Sequence, residues 1–367
     1  MTGPITECFS ENYAEARARF IGAALKAGAE IRSFPISETG PAGEELSIDI
    51  AYLGAERPAR LLVIDSGIHG VEGFAGSAIQ IQFLKERIGG PELPRSFGVL
   101  LIHALNPYGF AHLRRANECN VDLNRNFVAH PGGHVANSGY EALDSAINPK
   151  ALSPQADAQA RACFAMYLKE YGERALQEAI SCGQYFNSGG IYFGGREEQT
   201  SVRIIRQIAR EELRGATQVA WIDIHTGLGQ FGDYVMLYEA DAADEAFARG
   251  QRWYGEKAQA EAGGQALSPP LPGTIDEGIR RELAGRCELT FFAQEFGTYD
   301  TTRVFWATRA ENWLHHHGGA DCPRAKEIKQ ELREVFAPAS AIWQRRVLEG
   351  GARVIEQAIR GLLSEEA

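Results

Sequence analysis

The residues whose types and spacing are best suited to chemistry are a histidine and a glutamate three positions apart, His69 and Glu72. They follow the apolar run 61–64, which predicts a buried strand, and they precede residues 74–88, whose apolar spacing predicts a helix. An imidazole and a carboxylate at this junction could supply two ligands to one metal ion. A solvated turn with one polar contact would show the same pattern, so a third ligand must be found, because a catalytic zinc usually holds three protein ligands.

A second predicted strand offers that third ligand. Residues 218–225 are mostly apolar and end in His225. Asp223 precedes it by two positions and therefore lies on the same strand face, where it could orient a ligand or simply line the sheet. The alternative for His225 is a core histidine that is hydrogen-bonded to a neighbour.

Between these strands, residues 106–127 combine turn formers with fixed cations, which predicts a loop that presents side chains. Arg114, Arg115 and Arg125 are always protonated, and their forked donors suit a carboxylate or a developing oxyanion. Asn124 could add a neutral donor beside them. The alternative is that these arginines form a surface cluster whose positive charge offsets the net negative charge of the protein.

A further apolar stretch, residues 288–296, predicts a strand that carries Glu295 near its end. A carboxylate beside a metal-activated water can take its proton and pass it to a leaving nitrogen. Without a metal site nearby, a glutamate at a strand end would be structural.

Taken in this order, over residues 50–315, these motifs resemble the zinc carboxypeptidase (carboxypeptidase A-like) superfamily, which also contains the succinylglutamate desuccinylase and aspartoacylase amidohydrolases. The similarity is closest to a bacterial branch of unknown function. The resemblance implies one zinc ion held by His69, Glu72 and His225.

The resemblance also implies roles for other residues. Asp122 would hold the first zinc histidine, and Arg115, nine residues before Asn124, would polarise the scissile carbonyl. Asn124 and Arg125 belong to a motif that binds a substrate carboxylate, and Glu295 matches the catalytic glutamate.

The tyrosine pattern departs from that of the digestive carboxypeptidases, which carry a mobile tyrosine shortly before the catalytic glutamate. This chain has no tyrosine between Tyr254 and Tyr299. Tyr299, or Tyr185 and Tyr192 in the glycine-rich residues 183–195, are therefore the candidates for contacts to the substrate.

Together these features predict a zinc-dependent hydrolase that cleaves an amide bond, most simply a carboxypeptidase-like metallopeptidase. The expected substrate is a small peptide or an N-acyl amino acid with a carboxylate. An N-acyl amino acid deacylase and a non-catalytic zinc-binding protein are the alternatives. A serine esterase is disfavoured, because no G-x-S-x-G pattern occurs.

The predicted fold is α/β, with a mixed, largely parallel central sheet flanked by helices. Residues 1–367 are expected to form a single catalytic domain with 324–367 as a helical C-terminal extension of two helices. The sequence patterns further predict a helix at 10–33 and strands at 45–52, 60–66, 99–105, 218–225 and 288–296. Surface loops are predicted at 129–151 and 263–273, and the loop at 263–273 could form one wall of the cleft.

Composition fits a globular enzyme of 367 residues with 44% hydrophobic residues. The net charge of −11 argues against nucleic acid or an anionic membrane surface as a partner.

Six cysteines without a C-x-x-C pair suggest reduced thiols, and the absence of a visible leader or of an apolar run of about 20 residues suggests a cytoplasmic location. The run at 315–317, three adjacent histidines, points its side chains in different directions and is expected to be a surface or helix-end segment.

Overall fold

The computed structural model describes residues 7–89, 94, 96–129, 135–262, 271–319 and 322–364. Its strands are β1 Glu30–Thr39, β2 Glu45–Gly54, β3 Arg60–Ser66, β4 Phe97–His103, β5 Gln218–Thr226, β6 Tyr234–Asp241, β7 Ala258–Ala262 and β8 Glu288–Phe296. Its helices are α1 Tyr13–Lys26, α2 Gly73–Arg87, α3 Pro107–Ala111, α4 Ser138–Ile147, α5 Pro154–Tyr171, α6 Glu173–Ser181, α7 Thr200–Glu212, α8 Glu245–Tyr254, α9 Ile275–Leu283, α10 Thr301–Trp313, α11 Ala325–Phe336 and α12 Ala341–Ser364.

Within this part of the chain, the strands form one eight-stranded mixed sheet in the order β1-β2-β4-β3-β5-β8-β6-β7. The four central strands β4, β3, β5 and β8 are parallel. Their carboxyl ends therefore meet at one edge, where ligands bind in open α/β sheets. The register pairs Asp65 with Asp223 and His225 with Glu295, so these side chains lie next to one another. The predicted α/β class with its mixed, largely parallel sheet is confirmed.

Helices cover both faces of the central strands, which explains why β3 and β4 are apolar along nearly their whole length. On one face the core includes Phe20 of α1, Ile79 of α2 and Val347 of α12. On the other it includes Ile205 of α7 and Ile279 of α9. Full burial of one such side chain contributes about 1.5–3 kcal/mol, so the two apolar layers hold the sheet edge in place.

The predicted helix at 10–33 is too long. Helix α1 begins after Asn12, whose side-chain oxygen accepts a hydrogen bond from the Glu15 amide, and it ends at Lys26. Gly28, with φ +75°, takes the left-handed conformation that follows many helix ends, and β1 begins at Glu30. The pattern-based prediction missed this strand together with β6 and β7.

The predicted surface loop at 129–151 is also wrong in part, because it contains helix α4. Asn137 caps that helix by accepting from the Tyr140 amide, and Tyr140, Leu143 and Ile147 form its buried face. Of the predicted loop at 263–273, residues 263–270 lie outside the described residues.

The two predicted C-terminal helices are observed as α11 and α12, and α12 packs on α2 and α8. The organisation into one domain with an extension stays a prediction. No helix among the described residues is long and apolar enough to cross a membrane. No disulfide joins the six cysteines in the described chain. Residues 315–317 lie exposed in the Leu314–Gly318 turn at the end of α10.

Candidate metal centre

Three potential metal ligands converge at the carboxyl edge of the parallel strands. One ligand atom each from His69, Glu72 and His225 lies within 4.8 Å of the others, and among the described residues this is the one such group of histidine, cysteine and carboxylate side chains. His69 follows β3, Glu72 ends the 3-10 turn Gly70–Glu72, and His225 belongs to β5. The fold thus brings together the three residues that the sequence resemblance named.

The turn that carries the first two ligands packs directly against the arginine loop. The amides of Gly70 and Val71 donate to the carbonyls of Arg115 and Arg114, at 3.2 and 2.8 Å. A Cβ atom at Gly70 would lie 2.1 Å from the backbone of Gly109, so only glycine allows this approach. The ligand turn and the arginine loop are therefore fixed relative to each other.

Both histidines turn the same ring nitrogen towards Glu72. Nδ1 of His69 lies 2.9 Å from Glu72 Oε1, and Nδ1 of His225 lies 3.2 Å from Glu72 Oε2. The opposite nitrogens face carboxylates, since His69 Nε2 lies 3.1 Å from Asp122 Oδ1 and His225 Nε2 lies 2.7 Å from Asp223 Oδ2. A carboxylate behind each imidazole is the arrangement that orients metal-ligating histidines.

The donor atoms fit a divalent metal ion. His69 Nδ1 is buried and makes no hydrogen bond within the described part of the chain, although it lies close to Glu72. A buried polar atom without a partner is costly, and a cation between the three side chains would provide one. Two imidazole nitrogens and one carboxylate oxygen form the His₂Glu set of several catalytic zinc sites.

Buried carboxylates create a strongly negative environment around His225. Although burial lowers it, the charge of Asp223 raises the pKa of His225 well above its ordinary value. The pKa of Asp223 is held low, against burial, by the charge and hydrogen bond of His225. The same field that favours a proton on His225 favours a metal cation.

Sequence reasoning missed a further acid behind this pair. Asp65 accepts a 2.6 Å hydrogen bond from Trp221 Nε1 and lies beside Asp223. Burial and the charge of Asp223 raise the pKa of Asp65 well above its ordinary value, whereas the pKa of Asp223 is lowered. Its position in β3, four residues before His69, was visible in the sequence, but its pairing across the sheet was not.

Arg115 lies against the ligand set. It donates to Glu72 Oε1 at 2.9 Å and to Asp122 Oδ2 at 3.2 Å, and its Nη2 lies 2.7 Å from His69 Nε2. Burial raises the pKa values of Glu72 and Asp122, but their neighbours hold both below their ordinary values: His69, His225 and Arg115 act on Glu72, and Arg115 and His69 act on Asp122. The Arg115 side chain keeps 16% of its surface exposed, so it can still reach a bound molecule.

Glu295 stands beside His225 on the neighbouring strand. One of its oxygens accepts a 2.9 Å hydrogen bond from the Leu228 amide, and the residue is 7% exposed. Burial raises the pKa of Glu295 to about 8, while the charge of His225 opposes this shift and that of Glu72 adds to it. The structure thus places a buried carboxyl group beside His225 of the candidate donor set.

Asn124 and Arg125 lie in the short 3-10 turn that Asp122 caps. The side-chain oxygen of Asn124 accepts from the Ile275 amide at 2.8 Å, which leaves its amide group as the possible donor. Arg125 donates to the carbonyls of Asn124 and Ser181, and its buried Nε has no hydrogen-bond partner among the described residues. Both residues are close in sequence and space to Asp122, while their substrate contacts stay predictions.

The candidate tyrosines have different surroundings. The Tyr299 hydroxyl donates to Glu334, and its ring stacks under the guanidinium of Arg303, at 3.9 Å. The Tyr185 hydroxyl donates to the Arg125 carbonyl at 2.7 Å. Tyr192, by contrast, lies against Arg115, with the guanidinium carbon 5.3 Å from the ring centroid.

Comparisons with solved structures find similar proteins at low sequence identity. Bovine thrombin-activatable fibrinolysis inhibitor, solved with tick carboxypeptidase inhibitor, is 13% identical; the match covers 93% of this chain and 98% of that chain, with a TM-score of 0.45. Carboxypeptidase A from Helicoverpa armigera is 14% identical, with 90% and 73% covered and a TM-score of 0.48. An aspartoacylase family protein from Mesorhizobium loti is 14% identical, with 78% and 66% covered and a TM-score of 0.37.

No curated protein matches the chain. One family model, described as "Protein of unknown function (DUF2817)", matches residues 9–350, which is most of the sequence. The chain belongs to this family.

Proposed function

We propose that this protein is a zinc-dependent hydrolase that cleaves an amide bond, as a carboxypeptidase-like metallopeptidase acting on a small peptide with a free carboxylate. The observation that carries the proposal is the juxtaposition of a His₂Glu donor set with a separate buried carboxylate, Glu295, and an arginine, Arg115. A protein that only stores or senses zinc needs the donor set alone.

His69, Glu72 and His225 would hold the zinc. When bound, zinc supplies Lewis acidity towards a water molecule and a carbonyl oxygen. The chain contributes ligand orientation, because Asp122 and Asp223 fix the two imidazoles so that both Nδ1 atoms face Glu72. This preorganisation means that the donor atoms need little rearrangement on binding.

Glu295 would act as the general base and then as the general acid. Its register position beside His225 brings its carboxylate next to the ligand set, and the hydrogen bond from the Leu228 amide holds one oxygen in place. Glu295 takes the proton from the attacking water and returns it to the leaving nitrogen. A raised pKa suits a group that must both accept and return a proton near neutral pH.

The arginines would bind the charges of the substrate. Arg115 lies against Glu72 and His69, and 16% of its side-chain surface is exposed. It would stabilise the oxyanion of the tetrahedral intermediate. Arg125, whose buried Nε has no partner in the part of the chain that the structure describes, and the amide group of Asn124 would be the donors to a substrate carboxylate.

The first experiment measures zinc content and amide hydrolysis for the parent and for Glu295→Gln. N-acylated dipeptides with a free terminal carboxylate are screened beside N-acetyl and N-succinyl amino acids, so the preferred group identifies a peptidase or a deacylase. We expect one equivalent of zinc in both proteins and a turnover reduced about 10²–10⁴-fold in the variant. Glu288→Gln is the matched control, because Glu288 begins the same strand and is exposed.

Two results would contradict the proposal. Undiminished turnover in a zinc-replete Glu295→Gln protein would exclude this residue as the base. A parent that binds zinc but hydrolyses none of these amides would favour a non-catalytic zinc-binding protein.

A further inference from the structure

Tyr192 has an unusual backbone conformation for a bulky residue. Its φ is +55°, in the left-handed region that favours glycine. This conformation falls on Tyr192 although two glycines, Gly189 and Gly190, lie just before it in the sequence. Non-glycine residues adopt this conformation rarely, and an aromatic side chain there is strained. Such strain persists only where the surrounding structure imposes it, and it concentrates at functional sites.

Hydrogen bonds on both sides of Tyr192 impose the conformation. The carbonyl of Ile191 accepts from the Tyr140 hydroxyl at 2.8 Å. The carbonyl of Phe193 accepts from the Asp122 amide at 2.8 Å. Since Asp122 also holds the first metal histidine, the Tyr192 backbone is tied directly to the metal centre.

The side chain of Tyr192 is directed at the arginine of the site. Its ring lies 5.3 Å from the guanidinium carbon of Arg115, within cation–π distance. No hydrogen bond to its hydroxyl is found among the described residues, whereas the hydroxyls of Tyr185 and Tyr299 both donate to protein groups. Burial raises the pKa of Tyr192, although the charge of Arg115 opposes this shift, so the phenol stays protonated and able to donate.

We propose that Tyr192 is a fixed hydrogen-bond donor to the substrate, with its hydroxyl and Arg115 contacting the same carbonyl oxygen on which negative charge develops. This inference rests on the proposed amide hydrolysis. A donor that is already in place stabilises developing charge without reorganisation during the reaction. The strained, doubly tied backbone provides that placement, and no loop movement is required to bring the phenol to the site.

The test compares Tyr192→Phe and Tyr192→Gly with the parent, on the best substrate from the amide screen. Tyr192→Phe keeps the ring on Arg115 and removes only the hydroxyl. We expect its kcat to fall about 10²-fold or more with KM little changed, because the lost contact forms mainly in the transition state. Tyr192→Gly relieves the positive φ but also removes the ring that packs on Arg115, so its kcat should fall at least as far as that of Tyr192→Phe. Both variants should keep one equivalent of zinc.

The control for strain relief is Ala104→Gly, since Ala104 is another residue with positive φ, at +61°, and takes no part in the site. It should keep parental kcat. Parental kcat in Tyr192→Phe, or a raised KM with unchanged kcat, would overturn the proposal. Loss of zinc from Tyr192→Phe would also overturn it, by assigning Tyr192 to support of the metal site. An inactive parent would refute the proposed function itself, and the inference with it.

Discussion

Two buried histidines lie near the carboxyl ends of β4 and β5, the parallel strands on either side of β3, yet their surroundings have opposite character. His225 of β5 lies between the carboxylates of Asp223 and Glu72. His103 ends β4, stacks on the ring of Phe20 at 4.6 Å between centroids, and has the Ser77 hydroxyl 3.0 Å from its Nε2. One is placed to bind a cation, while the other fills the core as an aromatic ring.

The pKa values of the two imidazoles diverge accordingly. Burial lowers the pKa of His103 to about 4, whereas the charge of Asp223 outweighs burial and raises that of His225 well above its ordinary value. An acid is also present near His103, because Asp49 pairs with it across the sheet, but the carboxylate of Asp49 accepts from Arg17 at 2.7 Å. A metal site therefore requires carboxylates that remain directed at the imidazole, and burial at a strand end is insufficient.

The largest expected difference between the two histidines is in metal binding. His225→Ala removes one of three ligands, so we expect the purified variant to lose stoichiometric zinc. His103→Gln should keep one equivalent, because its ring lies outside the donor set. Elemental analysis of both proteins, with His69→Ala as a second ligand variant, provides the measurement. Zinc retained at parental level in both ligand variants would refute the assigned donor set.

Next in size is an effect of His103 on stability in acid. Its pKa is about 4 in the folded protein and 6.5 as the ordinary value, so below pH 6.5 the unfolded chain binds a proton that the folded protein does not. The contribution of His103 to the free energy of unfolding is thus fully present above pH 6.5 and is lost as the pH falls towards 4. Between pH 7 and 5 this one group should lower the free energy of unfolding by about 2 kcal/mol.

Urea unfolding at pH 7 and pH 5, with chelator present, measures this effect as a difference between proteins. His103→Gln has no proton to bind, so its stability should fall by about 2 kcal/mol less than that of the parent over this range. An equal fall in the free energy of unfolding of the two proteins would show that the pKa of His103 is not lowered in the folded state, which would contradict the effect of burial described above.

The smallest expected effect concerns the acid behind His225. Asp223→Asn keeps the shape of the side chain but removes the charge that orients and polarises the imidazole. We expect zinc affinity to fall about 10–100-fold, as measured by competition with a chromophoric chelator. Ser77→Ala, which removes the hydroxyl beside His103, is the matched control and should leave the affinity unchanged. Equal affinities in Asp223→Asn and the parent would deny Asp223 a role in the metal site.

Much of the metal centre could be predicted from the sequence because its parts are local. His69 and Glu72 share one short turn after a strand, and His225 ends an apolar run that only a buried strand explains. The resemblance supplied their order and their partners Asp122 and Arg115, which the structure places against His69 and Glu72. Roles in substrate binding stay predictions, because they depend on a molecule that the sequence does not specify.

The elements that sequence patterns missed depend on context. The pattern at 10–33 continued a helix past Lys26, and only the left-handed Gly28 and the pairing of β1 with β2 decide where it ends. Helix α4 is short and flanked by turn-forming residues, so its apolar spacing covered too few turns to be distinguished from a loop.

The sequence by itself determined that an imidazole and a carboxylate share one turn after a strand and that apolar strands deliver His225 and Glu295, because each follows from spacing within a few residues. Only the tertiary structure decided that His103, at the end of β4, lies apart from the candidate donor set of His69, Glu72 and His225. In the parallel register, Ile102 aligns with Asp65 and Asp65 with Asp223, so His103, one residue further along, projects from the opposite face. Because side chains alternate along a strand, this one-residue offset puts the His103 ring in the core and His225 in the candidate metal centre. Strand pairing fixes the offset.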